Sequence, residues 1–331
     1  MHVDANVELL SILCRLAGHP EYRRATGGYV DAVDAHFAPS KDHAAVAAMA
    51  DLRAKYGISY DAPMDLAVYL DASFRPIRAL SPLPPGLDPR FEKAPVDAFV
   101  ASLGPFASAA RFDAFMQAQA AHHRAVEDAM RGPIAGKDVI GWFDRVLGPK
   151  PKARYRVAPG LLTGPMAYGA FAVHEDGTED IVQIMYLEDP DASGLPRPTS
   201  RTLEYLVHEL AHSYVNPVFD AARRTMDPVS TPLFRTAAKA MNDQHYTTPD
   251  VMVNESVVRA VTLLFLHEHS TEEHERASLA EQERLGFRWT RDLVTALGEV
   301  RAGHGGKLPE GDLVSAARAV FERAAKAPAG G

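Results

Sequence analysis

The spacing of apolar residues predicts a mostly helical chain with one short stretch of β-structure. Up to residue 150, apolar side chains recur every three to four positions in segments bounded by glycine and proline, as amphipathic helices do. Residues 152–157 then alternate as a strand should, and two apolar runs follow, 166–174 and 181–187. Asp176-Gly177 separates these runs, and Asp-Gly between apolar runs is a strong hairpin signal. We therefore expect a β-hairpin in this stretch.

Two strongly apolar helical segments follow the predicted strands. The first covers about 202–217, after proline, serine and threonine start signals, and Pro217 is expected to stop it. The second runs from about 251 to 266. Further helices are expected at 231–242, 271–286, 287–302 and 310–326, before a frayed tail at 327–331.

The first of these segments contains the run His208-Glu209-Leu-Ala-His212. Residues four apart share one face of a helix, so both imidazoles can reach a single metal ion. His-Glu-x-x-His on a helix is a zinc-hydrolase signature, in which the glutamate is the general base for zinc-bound water. We therefore expect His208 and His212 to bind Zn²⁺ and Glu209 to move the proton.

A catalytic zinc site usually has three protein ligands, so one more is needed from downstream. The metzincin extension would place Gly at 215 and His at 218, where this chain has Val215 and Val218. Glu255 is the best candidate, because a carboxylate near the start of an apolar helix needs a cation to offset its desolvation. By ligand chemistry alone, the alternatives are Asp250, His245 and His267.

These residues resemble the gluzincin class of zinc metallopeptidases, which joins H-E-x-x-H on one helix to a ligand Glu, often preceded by Asn, on the next long helix. The resemblance covers roughly residues 165–270. It implies a zincin-like core with a small antiparallel sheet just before the metal-binding helix, one edge of which lines the cleft. It also implies that His208, His212 and Glu255 are the ligands and Glu209 is the base. The opening residues 6–22 also resemble an uncharacterised bacterial family of predicted zinc peptidases.

The sequence departs from the best-known members of that class. Thermolysin-like enzymes carry an Asp four residues after the ligand Glu, where this chain has Arg259, and the aminopeptidase Gly-x-Met-Glu-Asn signature is missing. Arg259 could pair with a carboxylate of the site or with a substrate terminus, or form a structural ion pair at the surface or in the core. Tyr246 or His245, in the polar turn before the helix of Glu255, is a candidate for stabilising the oxyanion of the transition state.

Composition narrows the partners and leaves the compartment open. A net charge of −8 and a pI near 6.0 argue against nucleic acid or an anionic membrane as the main partner. The single cysteine, Cys14, excludes an intrachain disulfide and fits a core position. No apolar run reaches the ~18 residues of a membrane span, and no signal peptide is evident. A cytoplasmic protein and an exported one whose signal has been removed both remain compatible, and the oligomeric state is open.

Together these patterns predict an α+β, mostly helical protein packed as one globular unit. Its parts are a helical N-terminal part (1–150), a zincin-like catalytic core (151–270) and C-terminal helices (271–331). The expected function is zinc-dependent hydrolysis of peptide bonds in a peptide or protein substrate. The alternatives are a non-catalytic zincin-like peptide-binding protein and a zinc hydrolase acting on a non-peptide amide. Sequence preference and endo- or exopeptidase action are not specified by the residues.

Overall fold

A computed structural model describes residues 1–326; the predicted tail at 327–331 lies outside the described residues. The strands are β1 (Ala153–Gly160), β2 (Tyr168–Val173) and β3 (Glu179–Tyr186). The α-helices are α1 (Ala5–Leu16), α2 (Gly28–Phe37), α3 (Ala44–Tyr56), α4 (Ala62–Val68), α5 (Val96–Ala101), α6 (Leu103–Ala109), α7 (Phe112–Ala118), α8 (Ala120–Arg131), α9 (Val139–Leu147), α10 (Ser200–Ala221), α11 (Arg223–Asp243), α12 (Pro249–His269), α13 (Glu272–Arg284), α14 (Thr290–Gly303) and α15 (Glu310–Lys326). This confirms the α+β, mostly helical class.

The described residues form two compact units. The first unit comprises Met1–Ala135 and Pro151–Thr202, and it contains α1 to α8 and the sheet. The second comprises Gly136–Lys150 and the residues from Leu203 onward, with α9, most of α10, and α11 to α15.

The sheet of the first unit is mixed, with strand order β1-β3-β2. β2 and β3 form the predicted antiparallel hairpin, and Gly177 in its turn has φ +78°, which glycine adopts without steric cost. β1 pairs in parallel with β3, so the small sheet is mixed, where the resemblance implied an antiparallel one. Each strand still reverses the direction of the one before it. The sheet is mixed because residues 161–167 carry the chain from β1 to a position two strands away, ~10 Å across the sheet. Strand β3 then fills the gap between β1 and β2.

Residues of the first unit contact both outer edges of this sheet. On β1, the amide of His2 donates a hydrogen bond to the carbonyl of Val157 at 3.1 Å. On β2, the Arg78 guanidinium donates to the carbonyl of Val173 at 3.0 Å, and the Val173 amide donates to the Tyr69 hydroxyl at 3.0 Å. The Val157 carbonyl and both backbone groups of Val173 are therefore not available to an added strand.

Helix α1 lies in the core of the first unit, where it packs against α3 and α4. Its residues from Val7 to Cys14 are all buried, as expected for Cys14. The chain between 106 and 131, whose periodicity predicts one long helix, is divided into α6, α7 and α8. Arg111 separates the first two with φ +52°, which turns Phe112 onto Phe37 at a ring distance of 6.4 Å.

The second unit is a helical assembly around α12. Residues Met252 to Leu266 of α12 are buried apart from partly exposed Asn254 and Arg259, and the helix packs against α11, α13 and α14. Ser256 of α12 accepts a hydrogen bond from the indole of Trp289 at 2.8 Å. Within residues 1–326, none of the helices combines the length and apolar character needed to span a membrane.

Prolines inside two helices of this unit show where the sequence-based boundaries were wrong. Helix α10 continues through Pro217 to Ala221, and α11 contains Pro228 and Pro232. A proline in a helix interior costs about 3 kcal/mol, because one backbone hydrogen bond is lost. Burial of the apolar side chains that flank these prolines offsets that cost; they are Val215, Phe219, Met226, Val229 and Leu233.

A buried carboxyl group in the first unit makes its stability depend on pH. Glu8 is fully buried; the Tyr29 hydroxyl donates to its Oε2 at 2.7 Å, and its Oε1 has no partner among residues 1–326. Burial raises the pKa of Glu8 from 4.5 to about 7. The folded protein therefore binds this proton more tightly than the unfolded chain, and the associated stability is lost as pH rises through 7.

We expect Glu8→Gln to remove this pH dependence. Between pH 5 and pH 9 the wild-type free energy of unfolding should fall by about 2–3 kcal/mol more than that of the variant, as measured by urea unfolding. The exposed Glu92→Gln serves as a control with the wild-type pH dependence. Parallel pH profiles for wild type and Glu8→Gln would contradict the prediction.

Candidate metal centre

Two helices of the second unit bring three potential metal ligands together. His208 and His212 lie one turn apart on α10, and Glu255 lies in the first half of α12. The two imidazole Nε2 atoms are 3.3 Å apart. Glu255 Oε1 lies 3.4 Å from His212 Nε2, and Glu255 Oε2 lies 3.6 Å from His208 Nε2. These three side chains can therefore offer donor atoms to one ion.

The donor spacing fits a tetrahedral metal. Bonds of ~2.0–2.1 Å around a tetrahedral zinc place neighbouring donor atoms about 3.3–3.4 Å apart. The two shortest donor separations, at 3.3 and 3.4 Å, match that edge. Two nitrogens and one carboxylate oxygen are also a donor set that suits zinc, and they leave the fourth position open. The residues present therefore fit a catalytic type of zinc site.

The protonation of both histidines favours metal binding. His212 Nδ1 lies 3.1 Å from Asn216 Oδ1, and because that oxygen is an acceptor, it holds the ring proton on Nδ1 and leaves the Nε2 lone pair for a metal. Burial, followed by the neighbouring His212 and Arg259, lowers the pKa of His208 well below its usual value. His208 is therefore neutral at neutral pH, which is the form that binds metals.

Asn216 gives a test of this arrangement. We expect Asn216→Leu to weaken zinc binding by about 10–100-fold, because the outer partner that fixes the His212 ring is lost. Asn216→Asp keeps an acceptor at the same place, so it should bind zinc at least as tightly as wild type. Competition with a chromogenic chelator measures both affinities. Equal zinc affinity in the Leu variant and wild type would contradict this role for Asn216.

Of the expected alternatives to Glu255, none lies in this cluster within the described part of the chain. Asp250 accepts a hydrogen bond from Arg223 at 2.6 Å, and His267 Nδ1 lies 3.0 Å from Glu275 Oε2. His245 is exposed, in a left-handed backbone conformation that ends the turn after α11. Glu255, in contrast, is only 8% exposed.

Arg259 and Tyr246 both lie beside Glu255. The Arg259 guanidinium donates from Nη2 to Glu255 Oε2 at 3.0 Å and to the Tyr246 hydroxyl oxygen, also at 3.0 Å. Burial raises the pKa of Tyr246, so its hydroxyl keeps its proton at neutral pH. The structure thus places both residues predicted to assist the site within hydrogen-bonding distance of each other.

Glu209 follows His208 on α10 and differs from the other acidic residues of the site. Its carboxylate makes no hydrogen bond or ion pair with any residue between 1 and 326. Burial raises the pKa of Glu209; His212 and Arg259 lower it, and Glu255 raises it further. Glu209 is therefore a half-buried, unpaired carboxyl group that interacts electrostatically with His212 and Glu255, as a general base at this site requires.

Residues 88–303 match the family described as a domain of unknown function, DUF4932. This chain belongs to the DUF4932 family. No curated protein and no solved structure matches it. In this DUF4932 chain the matched span runs from before α5 to the end of α14, and it contains every residue of the candidate metal centre.

Three residues that support the centre of this DUF4932 protein were not predicted. Asn216 could have been, since it lies four residues after His212 and so shares its helix face. Gln282 and Phe287 contact Arg259 from the chain region after α12: Gln282 Oε1 accepts from Arg259 Nη1 at 2.6 Å, and the guanidinium lies 4.4 Å from the centre of the Phe287 ring. Nothing in their local sequence marks these two residues.

Proposed function

We propose that this DUF4932 protein is a zinc-dependent peptidase of the gluzincin type. One observation carries the proposal: the imidazole nitrogens of His208 and His212 and the carboxylate of Glu255 lie 3.3–3.6 Å from one another, and the unpaired carboxylate of Glu209 follows His208 in the chain. A site that only stored metal would need the three ligands and would have no use for Glu209. The net charge of −8 favours a peptide or protein substrate over nucleic acid.

The proposed reaction adds water across a peptide bond. When bound, a zinc ion supplies a Lewis acid that polarises the substrate carbonyl and lowers the pKa of water toward ~7. Glu209 accepts a proton from the attacking water as the new C–O bond forms. It then returns that proton to the leaving nitrogen as the C–N bond breaks, so the products are an acid and an amine.

Tyr246 is our candidate for stabilising the oxyanion that develops on the carbonyl oxygen. Its oxygen accepts a hydrogen bond from Arg259, which holds the hydroxyl beside Glu255. The adjacent guanidinium charge also strengthens the hydroxyl as a donor. Loss of one such donor typically lowers kcat by about 10²–10³-fold.

The proposal is tested by digesting a peptide library with the protein loaded with zinc. We expect new amino termini that appear with zinc, disappear with a chelator and return when zinc is restored. The His212→Ala variant, treated in the same way, provides the control for a contaminating peptidase. Zinc-loaded protein that leaves every peptide intact, or a variant that cleaves at the wild-type rate, would contradict the proposal.

A further inference from the structure

Arg259 is held on several sides in the second unit. Its Nη1 donates to Gln282 Oε1 at 2.6 Å, its Nη2 is shared by Glu255 and Tyr246, and its guanidinium lies 4.4 Å from the centre of the Phe287 ring. Only 10% of the side chain is exposed. A planar guanidinium fixed in this way cannot change its orientation without breaking at least one of these contacts.

The two oxygens of Glu255 consequently have different partners. Oε2 accepts the Arg259 hydrogen bond at 3.0 Å, whereas Oε1 lies 3.4 Å from His212 Nε2. We propose that Arg259 is a positioning residue, which keeps Oε2 occupied so that Glu255 offers the metal one oxygen. This inference rests on the proposed function, because it assigns a role toward the same metal.

Single-oxygen ligation matters because a catalytic zinc site needs an open position. A carboxylate that was free to turn could bind the ion through both oxygens and fill the position that water or substrate requires. Arg259 therefore keeps the centre open for chemistry.

The positive charge of Arg259 does not by itself favour a metal ion at this site. A cation this close to a metal ion repels it and weakens metal binding. Removal of Arg259 also leaves the buried Glu255 without its cationic partner in the metal-free protein, so a bound metal ion would stabilise that carboxylate more than it does in wild type. Both effects, together with ligation by the freed Oε2 of Glu255, should tighten metal binding in an Arg259→Met variant. If the substitution instead damaged the site in general, metal binding would weaken.

Cobalt(II) substitution separates these outcomes, because its d–d absorption reports coordination number and geometry. In Arg259→Met we expect cobalt binding at least as tight as in wild type, together with a weaker, shifted d–d absorption typical of an added ligand. We also expect the spectral response to acetohydroxamate, a ligand for the open position, to be reduced. Weaker cobalt binding in a folded variant, or a spectrum like that of wild type, would overturn the proposal.

Two further variants complete the test. Arg301→Met is the matched control. Arg301, on α14, pairs with Glu268 of α12 at 2.6 Å and lies over the Trp142 ring. Glu268 is ~20 Å from Glu255 along α12. This control should keep the wild-type spectrum, and an equal spectral change in Arg301→Met would overturn the proposal.

If Arg259→Met does not fold, Gln282→Leu takes its place, since it removes an anchor of Arg259 and leaves Glu255 intact. A wild-type spectrum in Gln282→Leu would then overturn the proposal. Wild-type protein that binds no cobalt contradicts the proposed function itself.

Discussion

Glu209→Gln is expected to retain zinc and to cleave peptides about 10²–10⁴-fold more slowly than wild type. The amide has nearly the same shape as the carboxylate, so the ligands should stay in place, but it cannot accept the proton of the attacking water. Because Glu209 has no partner in residues 1–326, the substitution breaks no hydrogen bond that holds the fold. Steady-state kinetics on one cleaved library peptide, with zinc content measured on the same samples, gives the result.

Glu209→Asp is the matched control for this experiment. It keeps a carboxylate but withdraws it by one methylene, so we expect a rate between those of the Gln variant and wild type. A Glu209→Gln protein that contains zinc and hydrolyses the peptide at the wild-type rate would remove Glu209 from the mechanism.

Removal of the metal should abolish hydrolysis and leave the fold intact. In the metal-free protein, Arg259 still offsets the charge of Glu255 at 3.0 Å, and α12 remains buried by its apolar side chains. The second unit therefore does not depend on zinc for its core, unlike small zinc-folded domains.

Chelation followed by circular dichroism and a peptidase assay measures both parts of this prediction. We expect the helical signal to persist, activity to fall to background, and zinc to restore activity and raise the melting temperature. Magnesium should not restore activity, because its oxygen-rich octahedral preference does not suit two imidazoles. Loss of the helical signal on chelation, or persistent cleavage, would contradict this prediction.

Helices α10 and α12, which carry the candidate ligands, could be predicted because the sequence signals for them are local. The four-residue spacing of His208 and His212 fixes their common helix face, and the apolar run around Glu255 makes a buried carboxylate conspicuous. The β2–β3 hairpin was predictable for a similar reason, since Asp176-Gly177 fits the turn itself.

Features that depend on tertiary packing could not be predicted in this way. The position of β3 between β1 and β2 depends on pairings across the sheet. Continuation of α10 through Pro217 depends on burial that outweighs the local cost of proline. Gln282 reaches Arg259 across 23 residues of chain, and its own segment, α13, reads as an ordinary polar helix.

The central claim is that His208, His212 and Glu255 together bind a zinc ion. Elemental analysis of wild type, Glu255→Ala and Glu268→Ala, each purified without added metal, tests it most directly. Glu268 is the matched control, because it lies on the same helix but bonds to Trp142 and Arg301. We predict about one zinc per chain in wild type and Glu268→Ala, as a single three-ligand site requires, and little or none in Glu255→Ala. Wild-type protein without zinc even after reconstitution, or full zinc content in Glu255→Ala, would contradict the claim.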